Sequence, residues 1–207
     1  MAIYIYVHIF AILSYMKSLQ LTQPHLLMMV GIPGSGKSSF ADTFADTFSA
    51  PLVSFDKLRA LTPDVLSARK IFTAQLQELL KTRQTVIIDG ATETRTERQA
   101  IFRIAKAAGY EPLVVWVQID PATAKLRATK QTRADSIKTA DEFDQAIRRF
   151  TPPNATEKSV VISGKHTHAT QTKIILKRLS VPRAAISVHA APPTRSDEAS
   201  RRNITVR

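Results

Sequence analysis

A glycine-rich turn set between an apolar run and an amphipathic one constrains this chain more than any other feature. Leu26 to Val30 are five consecutive apolar residues, as expected of a parallel strand buried on both faces. Gly31-Ile-Pro-Gly-Ser-Gly-Lys-Ser38 breaks that run, and the spacing of Phe40, Phe44 and Phe48 then places three rings on one helical face. Strand, glycine turn and helix in that order match G-x-x-x-x-G-K-[ST]. In such a loop the backbone N–H groups curl inward around phosphate oxygens, and the following helix adds its positive end. On this reading Gly31, Pro33, Gly34, Ser35, Gly36, Lys37, Ser38 and Ser39 hold a nucleotide. Lys37 reaches the β- and γ-phosphates, and Ser38 is the ligand to Mg²⁺.

The rest of the chain repeats the alternation. "PLVSFD" reads as a second strand ending in Asp56, and "TVIIDG" as a third ending in Asp89; "PLVVWVQID" is the fourth and "SVVISG" the fifth. Between them, "TPDVLSARKIFTAQLQELLKTR" is expected to start with Thr62 as cap and Pro63 at the first helical position. Its apolar stripe runs through Leu66, Ile71, Leu76 and Leu80. Further helices are expected over Arg95 to Ala108, from Pro121, over Asp141 to Phe150 and over Thr170 to Leu179, with the polar stretch "KQTRADSIKTA" as a break. The fold class that follows is α/β: a five-stranded parallel sheet with helices on both faces, its chemistry gathered at the carboxyl ends of the strands.

Composition limits the partners. The chain has no cysteine, which removes disulfides, thiolate metal sites and cysteine nucleophiles and fits a reducing, cytoplasmic setting. Its 29 Lys and Arg against 17 Asp and Glu give a net charge of +12, most of it carried by residues 21–180, so a polyanionic partner such as nucleic acid is favoured alongside a plainly solvated basic surface. Residues 1–20 begin with "MAIYIYVHIFAILSYM", an apolar stretch with neither the basic start of a signal peptide nor the length of a clean membrane span. It is read as an extension ahead of a domain covering 21–180. Residues 181–207 collect Pro, Ser and Arg and read as a basic flexible tail.

A phosphate loop alone does not separate kinases from GTPases, motors and switches. "VIIDGAT" lacks the glutamate that a hydrolytic motor places after the strand-end aspartate, and no N-K-x-D guanine motif occurs. Two strand-end aspartates fit a kinase better: one accepts a proton from an acceptor hydroxyl, the other organises metal or substrate.

The segments "GIPGSGKSSFA", "SFDKLRAL", "TVIIDGATETRTERQ", "AAGYEP", "VQIDPATAKLRATKQTR" and "RRFTPPNATE", in that order, resemble the P-loop kinases of the polynucleotide 5′-hydroxyl kinase type, with their zeta-toxin and AAA-type ATPase relatives. The likeness runs from Leu26 to Leu179. It implies a nucleoside-monophosphate-kinase-like fold with a helical lid, ATP and Mg²⁺ as cofactors, and γ-phosphoryl transfer to a hydroxyl. By the same resemblance Asp56 is the general base, Arg59 contacts the acceptor, and Arg127 and Arg133 are lid arginines that clamp the phosphoryl group. Asp89, Thr92 and Arg95 fall on the acceptor side, with Thr92 standing where the family commonly has asparagine; Arg98 matches a basic position that equally suits a wet helix face.

The residues therefore imply an ATP:hydroxyl phosphotransferase with a nucleic-acid 5′ end as the favoured acceptor. A small-molecule or sugar-nucleotide kinase on the same scaffold is the alternative, and a non-catalytic nucleotide-dependent nucleic-acid-binding module is a third reading.

Overall fold

The computed structural model describes residues 23–130 and 139–180. The sequence-expected extension, the basic tail, the greater part of the polar break after Lys130 and Arg133 itself lie outside the described residues.

Strand β1 (His25–Val30) is buried along its whole length and sits at the centre of an all-parallel sheet. The other strands are β2 (Leu52–Ser54), β3 (Val86–Asp89), β4 (Glu111–Gln118) and β5 (Ser159–Ser163), in the order β2-β3-β1-β4-β5. The register sets Met29 opposite both Asp89 and Val115, and Ser54 opposite Asp89. The carboxyl ends of β1, β2 and β3 thus meet at one level.

Side-chain alternation along β1 divides the core in two. Leu26, Met28 and Val30 face a layer built by α3 (Val65–Lys81) and α4 (Arg95–Ala107), where Phe72, Leu76, Leu80, Ile101 and Ala105 are buried. Leu27 and Met29 face the opposite layer, where Phe40 and Phe44 of α1 (Lys37–Phe48) meet Ile175 and Leu179 of α7 (His168–Leu179). Each fully buried apolar side chain of this kind contributes about 1.5–3 kcal/mol relative to exposure. A third, smaller cluster joins α5 (Pro121–Lys130) to α6 (Ala140–Arg149) through Ala124, Ala128 and Phe143. The expected five-stranded parallel sheet with helices on both faces is what forms.

Three local expectations are corrected. The second strand ends at Ser54, not at Asp56: the Ser54 hydroxyl accepts from the Lys57 amide at 3.4 Å and opens a short helix, α2 (Phe55–Ala60), which places Asp56 in a first helical turn. The next helix starts at Val65, capped by Asp64, whose carboxylate accepts from the Ser67 amide at 2.9 Å and from its hydroxyl at 2.7 Å. Thr62 and Pro63 both lie ahead of the helix, and the Thr62 hydroxyl donates back to the Leu58 carbonyl at 3.1 Å. The buried stripe of α3 is Ala68, Phe72, Leu76 and Leu80, a strict four-residue repeat, and it leaves Leu66 71% and Ile71 44% exposed.

Candidate nucleotide and phosphoryl-transfer site

Helix α1 starts with no side-chain cap, Gly36 standing at its N-cap, and has no acidic residue in its first turn. Its leading amides and the positive end of its dipole are therefore turned toward whatever fills the space before them. That space is a cleft of about 540 Å³. Pro33, Gly34, Gly36, Lys37, Ser38 and Ser39 form its floor, whereas Gly31 and Ser35 of the same motif lie behind it.

Backbone contacts hold the loop from both sides. A Cβ on Gly34, at φ +75°, would lie 2.1 Å from the Ala124 carbonyl oxygen of α5, and one on Gly164 would lie 2.2 Å from the carbonyl oxygen of Ser35. No side chain fits at either place. The loop is wedged between α5 and the turn after β5.

The strand-end carboxylate, Asp89, does not line the cleft itself but lies beneath it, beside Ser38. Asp89 is 4% exposed, and its Oδ1 has no hydrogen-bond partner. Burial pushes its carboxyl up; the charge of Lys37 and a hydrogen bond from the Ser38 hydroxyl pull it down without cancelling that effect, and the carboxylates of Asp56 and Asp42 add to the rise. A buried carboxylate oxygen without a partner beside a serine hydroxyl is a hard oxygen donor set in need of a cation, and it fits Mg²⁺.

Asp56, exposed, lines the same cleft as Lys37 and Ser38, so these residues converge. Arg127 lines it from α5, with its guanidinium donating to the Gly164 carbonyl at 3.0 Å. Arg59 and Arg95 are exposed and do not line the cleft; Arg59 turns onto the Thr62 carbonyl at 3.4 Å. Thr92 is buried, and its hydroxyl donates to the Met29 carbonyl at 2.6 Å.

The sequence reading missed the opposite wall. His166, His168 and Gln171, on the turn after β5 and the first turn of α7, complete the cleft. His168 approaches the Ser39 hydroxyl at 3.4 Å through Nε2 and stacks near the Phe40 ring, with centroids 6.5 Å apart. Gln171, 4% exposed, donates to the Ser163 carbonyl at 2.8 Å. The available signal was a glycine directly after the fifth strand followed by His-x-His.

The family model AAA_33, described as an AAA domain, matches residues 26–153. The chain belongs to this AAA domain family. The match spans β1, the loop, Asp56, Asp89 and both helices α5 and α6. No curated protein sequence matches. Solved structures share the fold. A gluconokinase from Sinorhizobium meliloti 1021 is 17% identical with a TM-score of 0.58, over 77% of this chain and 93% of that one. A sugar kinase from Janibacter sp. HTCC2649 is 14% identical with a TM-score of 0.58, over 77% and 99%. Chaetomium thermophilum Kti12, in complex with ADP-AlF3, is 17% identical with a TM-score of 0.59, over 74% and 96%. The fold is thus that of P-loop kinases and their nucleotide-binding relatives. Among the described residues no helix is long and apolar enough to cross a membrane.

Proposed function

We propose that the protein is an ATP- and Mg²⁺-dependent phosphotransferase that moves the γ-phosphoryl group to a hydroxyl, with the 5′-hydroxyl of a nucleic acid as acceptor. The observation that carries the reading is the convergence of Lys37, Ser38 and Asp56 on one cleft at the uncapped start of α1, with the buried carboxylate of Asp89 beside Ser38.

In this reading the loop amides and Lys37 hold the β- and γ-phosphates in fixed geometry. Ser38 and Asp89 hold Mg²⁺, which when bound neutralises charge on the phosphates. Asp56 takes the proton from the acceptor hydroxyl as its oxygen bonds to the γ-phosphorus. The bond from that phosphorus to the bridging oxygen breaks, and ADP leaves with the electron pair. Arg127 stands at the edge of the cleft to meet the transferring group after giving up the Gly164 carbonyl. Arg133 is assigned the same task by resemblance alone.

The nucleic-acid acceptor is supported by the net charge of +12 and by the exposed Arg59, which shares α2 with Asp56. A small-molecule acceptor is the second reading, favoured by the gluconokinase and the sugar kinase among the structural neighbours. Incubating the protein with γ-labelled ATP, Mg²⁺ and a panel of 5′-hydroxyl oligonucleotides, nucleosides and sugar acids decides between them. Label on the oligonucleotide is expected. Label on a sugar acid alone moves the assignment to the second reading. Salt-sensitive oligonucleotide binding with no labelled product overturns both in favour of a binding module.

A further inference from the structure

The sequence leaves Arg98 open between a basic position shared with the resembled family and a solvated helix face, yet it is 1% exposed, the largest side chain buried this fully among the described residues. A buried guanidinium persists only where its donors are matched. Here they are matched by two separate stretches of chain. Nη1 donates to the Thr92 carbonyl at 3.1 Å and reaches that of Glu93 at 3.4 Å, both in the turn between β3 and α4. It also donates to the Thr151 carbonyl at 2.9 Å. Nε and Nη2 bond the two oxygens of Glu157 at 2.6 and 2.9 Å, a bidentate pair in the segment between α6 and β5. The Thr151 amide adds a backbone bond to the Glu93 carbonyl at 3.0 Å.

The turn that Arg98 holds is the one that directly follows Asp89. It is strained, with Gly90 at φ +91° and Ala91 at φ +55°, a left-handed conformation that a residue bearing a Cβ keeps only when its surroundings impose it. Two anchors impose it. The Thr92 hydroxyl ties the turn to the Met29 carbonyl, two residues ahead of the phosphate loop, and Arg98 fixes the Thr92 carbonyl from the other side. Asp89 therefore cannot relax away from Ser38 to relieve the burial of its charge.

We propose that Arg98 is a positioning residue for the cation site: by clamping the Asp89–Thr92 turn between the strand before the phosphate loop and the Thr151–Glu157 segment, it keeps the Asp89 carboxylate set against Ser38. This rests on the reading of Ser38 and Asp89 as the Mg²⁺ ligands. It assigns to the most buried cation among the described residues a role that no residue of the cleft itself performs.

The test separates nucleotide affinity from its Mg²⁺ dependence and needs no acceptor. The full chain is titrated with a fluorescent ADP analogue in EDTA and again in excess Mg²⁺, with thermal unfolding followed in parallel. Wild type is expected to bind at least about tenfold more tightly with Mg²⁺, a gain of about 1.4 kcal/mol. Arg98→Met is expected to lose most of that increment while its affinity in EDTA stays within about twofold of wild type, because the loop amides and Lys37 are untouched. Thr92→Val, which removes only the hydroxyl tie to Met29, is expected to lose part of the increment, and it carries the test if Arg98→Met does not fold. Glu157→Gln, which keeps an acceptor for the guanidinium, is expected to retain most of it. An unchanged increment in Arg98→Met, or in Thr92→Val where only that variant folds, overturns the proposal. So does an equal loss of affinity with and without Mg²⁺, the mark of a merely structural role. Nucleotide binding by wild type with no Mg²⁺ increment overturns both the cation site and this proposal, whereas no binding at all sinks the phosphotransferase reading beneath them.

Discussion

The two ends of the cleft are built by different means. At the phosphate end, main chain packs on main chain: the loop is held between the Ala124 carbonyl and Gly164, with Ser35 and Gly31 sealed behind it. At the end proposed for the acceptor the parts are exposed side chains, and α2, which carries Asp56 and Arg59, contributes no buried residue. A preformed phosphate cradle needs no reorganisation when nucleotide arrives. An exposed acceptor rim, by contrast, can change its chemistry at little cost to stability, because surface substitutions away from caps and cores are nearly neutral. On the proposed function, the difference places nucleotide use in the packed fold and acceptor choice on its surface.

The largest break in that contrast comes from Lys37→Ala, expected to lower phosphoryl transfer by about 10³ while leaving the far-UV spectrum intact, since it removes a charge that grows in value in the transition state. Turnover of the purified variant within threefold of wild type would remove Lys37 from the site. Next is Asp56→Asn, expected to cost about 10² in turnover with ADP affinity nearly unchanged, because the amide keeps the shape and cannot take a proton. A parallel loss of affinity would move Asp56 to the phosphate end.

Gly34→Ala sharpens the contrast from the opposite side. A methyl group 2.1 Å from the Ala124 oxygen must displace α5 or the loop, at a cost of about 1–3 kcal/mol in urea unfolding. A neutral result would mean that the cradle is softer than its contacts imply. Behind the acceptor-side turn, pH gives a further reading. Burial alone would raise the Glu157 carboxyl, but hydrogen bonds from Arg98 and the Asn154 amide, with the charges of Arg98 and Arg95, hold it below the ordinary glutamate range. A depressed carboxyl contributes stability above its unfolded pKa of about 4.3 and loses it as pH falls through the folded value. Glu157→Gln should therefore flatten the acid limb of the stability curve relative to wild type; an unchanged limb would assign acid sensitivity elsewhere. The smallest effect is expected of Arg59→Ala, within about 0.5 kcal/mol in stability and visible only in the KM for acceptor. A change in nucleotide affinity would erase the boundary between the two ends.

Much of the phosphate end was legible because it rests on short-range rules. A five-residue apolar run, glycines at fixed offsets and rings four residues apart each report a local backbone state, and together they gave strand, loop and helix. The unread parts depend on partners distant in the chain. Nothing local distinguishes Arg98 from Arg95, both on the first turns of α4; only the arrival of Glu157 and the Thr151 carbonyl makes the former a buried anchor. His168 and Gln171 join the cleft because β5 pairs with β4 and so carries the start of α7 to the loop. The sequence pattern places the cap at Thr62, but the helix begins only at Val65, where the Asp64 carboxylate, a better cap than a threonine hydroxyl, accepts from the Ser67 amide. Leu66 and Ile71 suited a loose helical stripe, but the strict repeat from Ala68 to Leu80 turned them outward.

The contact of Gly34 with α5 has a consequence for how such a chain can change over time. Where two backbones touch, no side chain lies between them to be trimmed, and any Cβ added there must push them apart. Substitution can therefore adjust exposed positions such as Arg59 at little cost, whereas any substitution at Gly34 must widen the gap between loop and α5 and lower stability. The same kind of single-residue change is thus tolerated at the rim and penalised at the cradle.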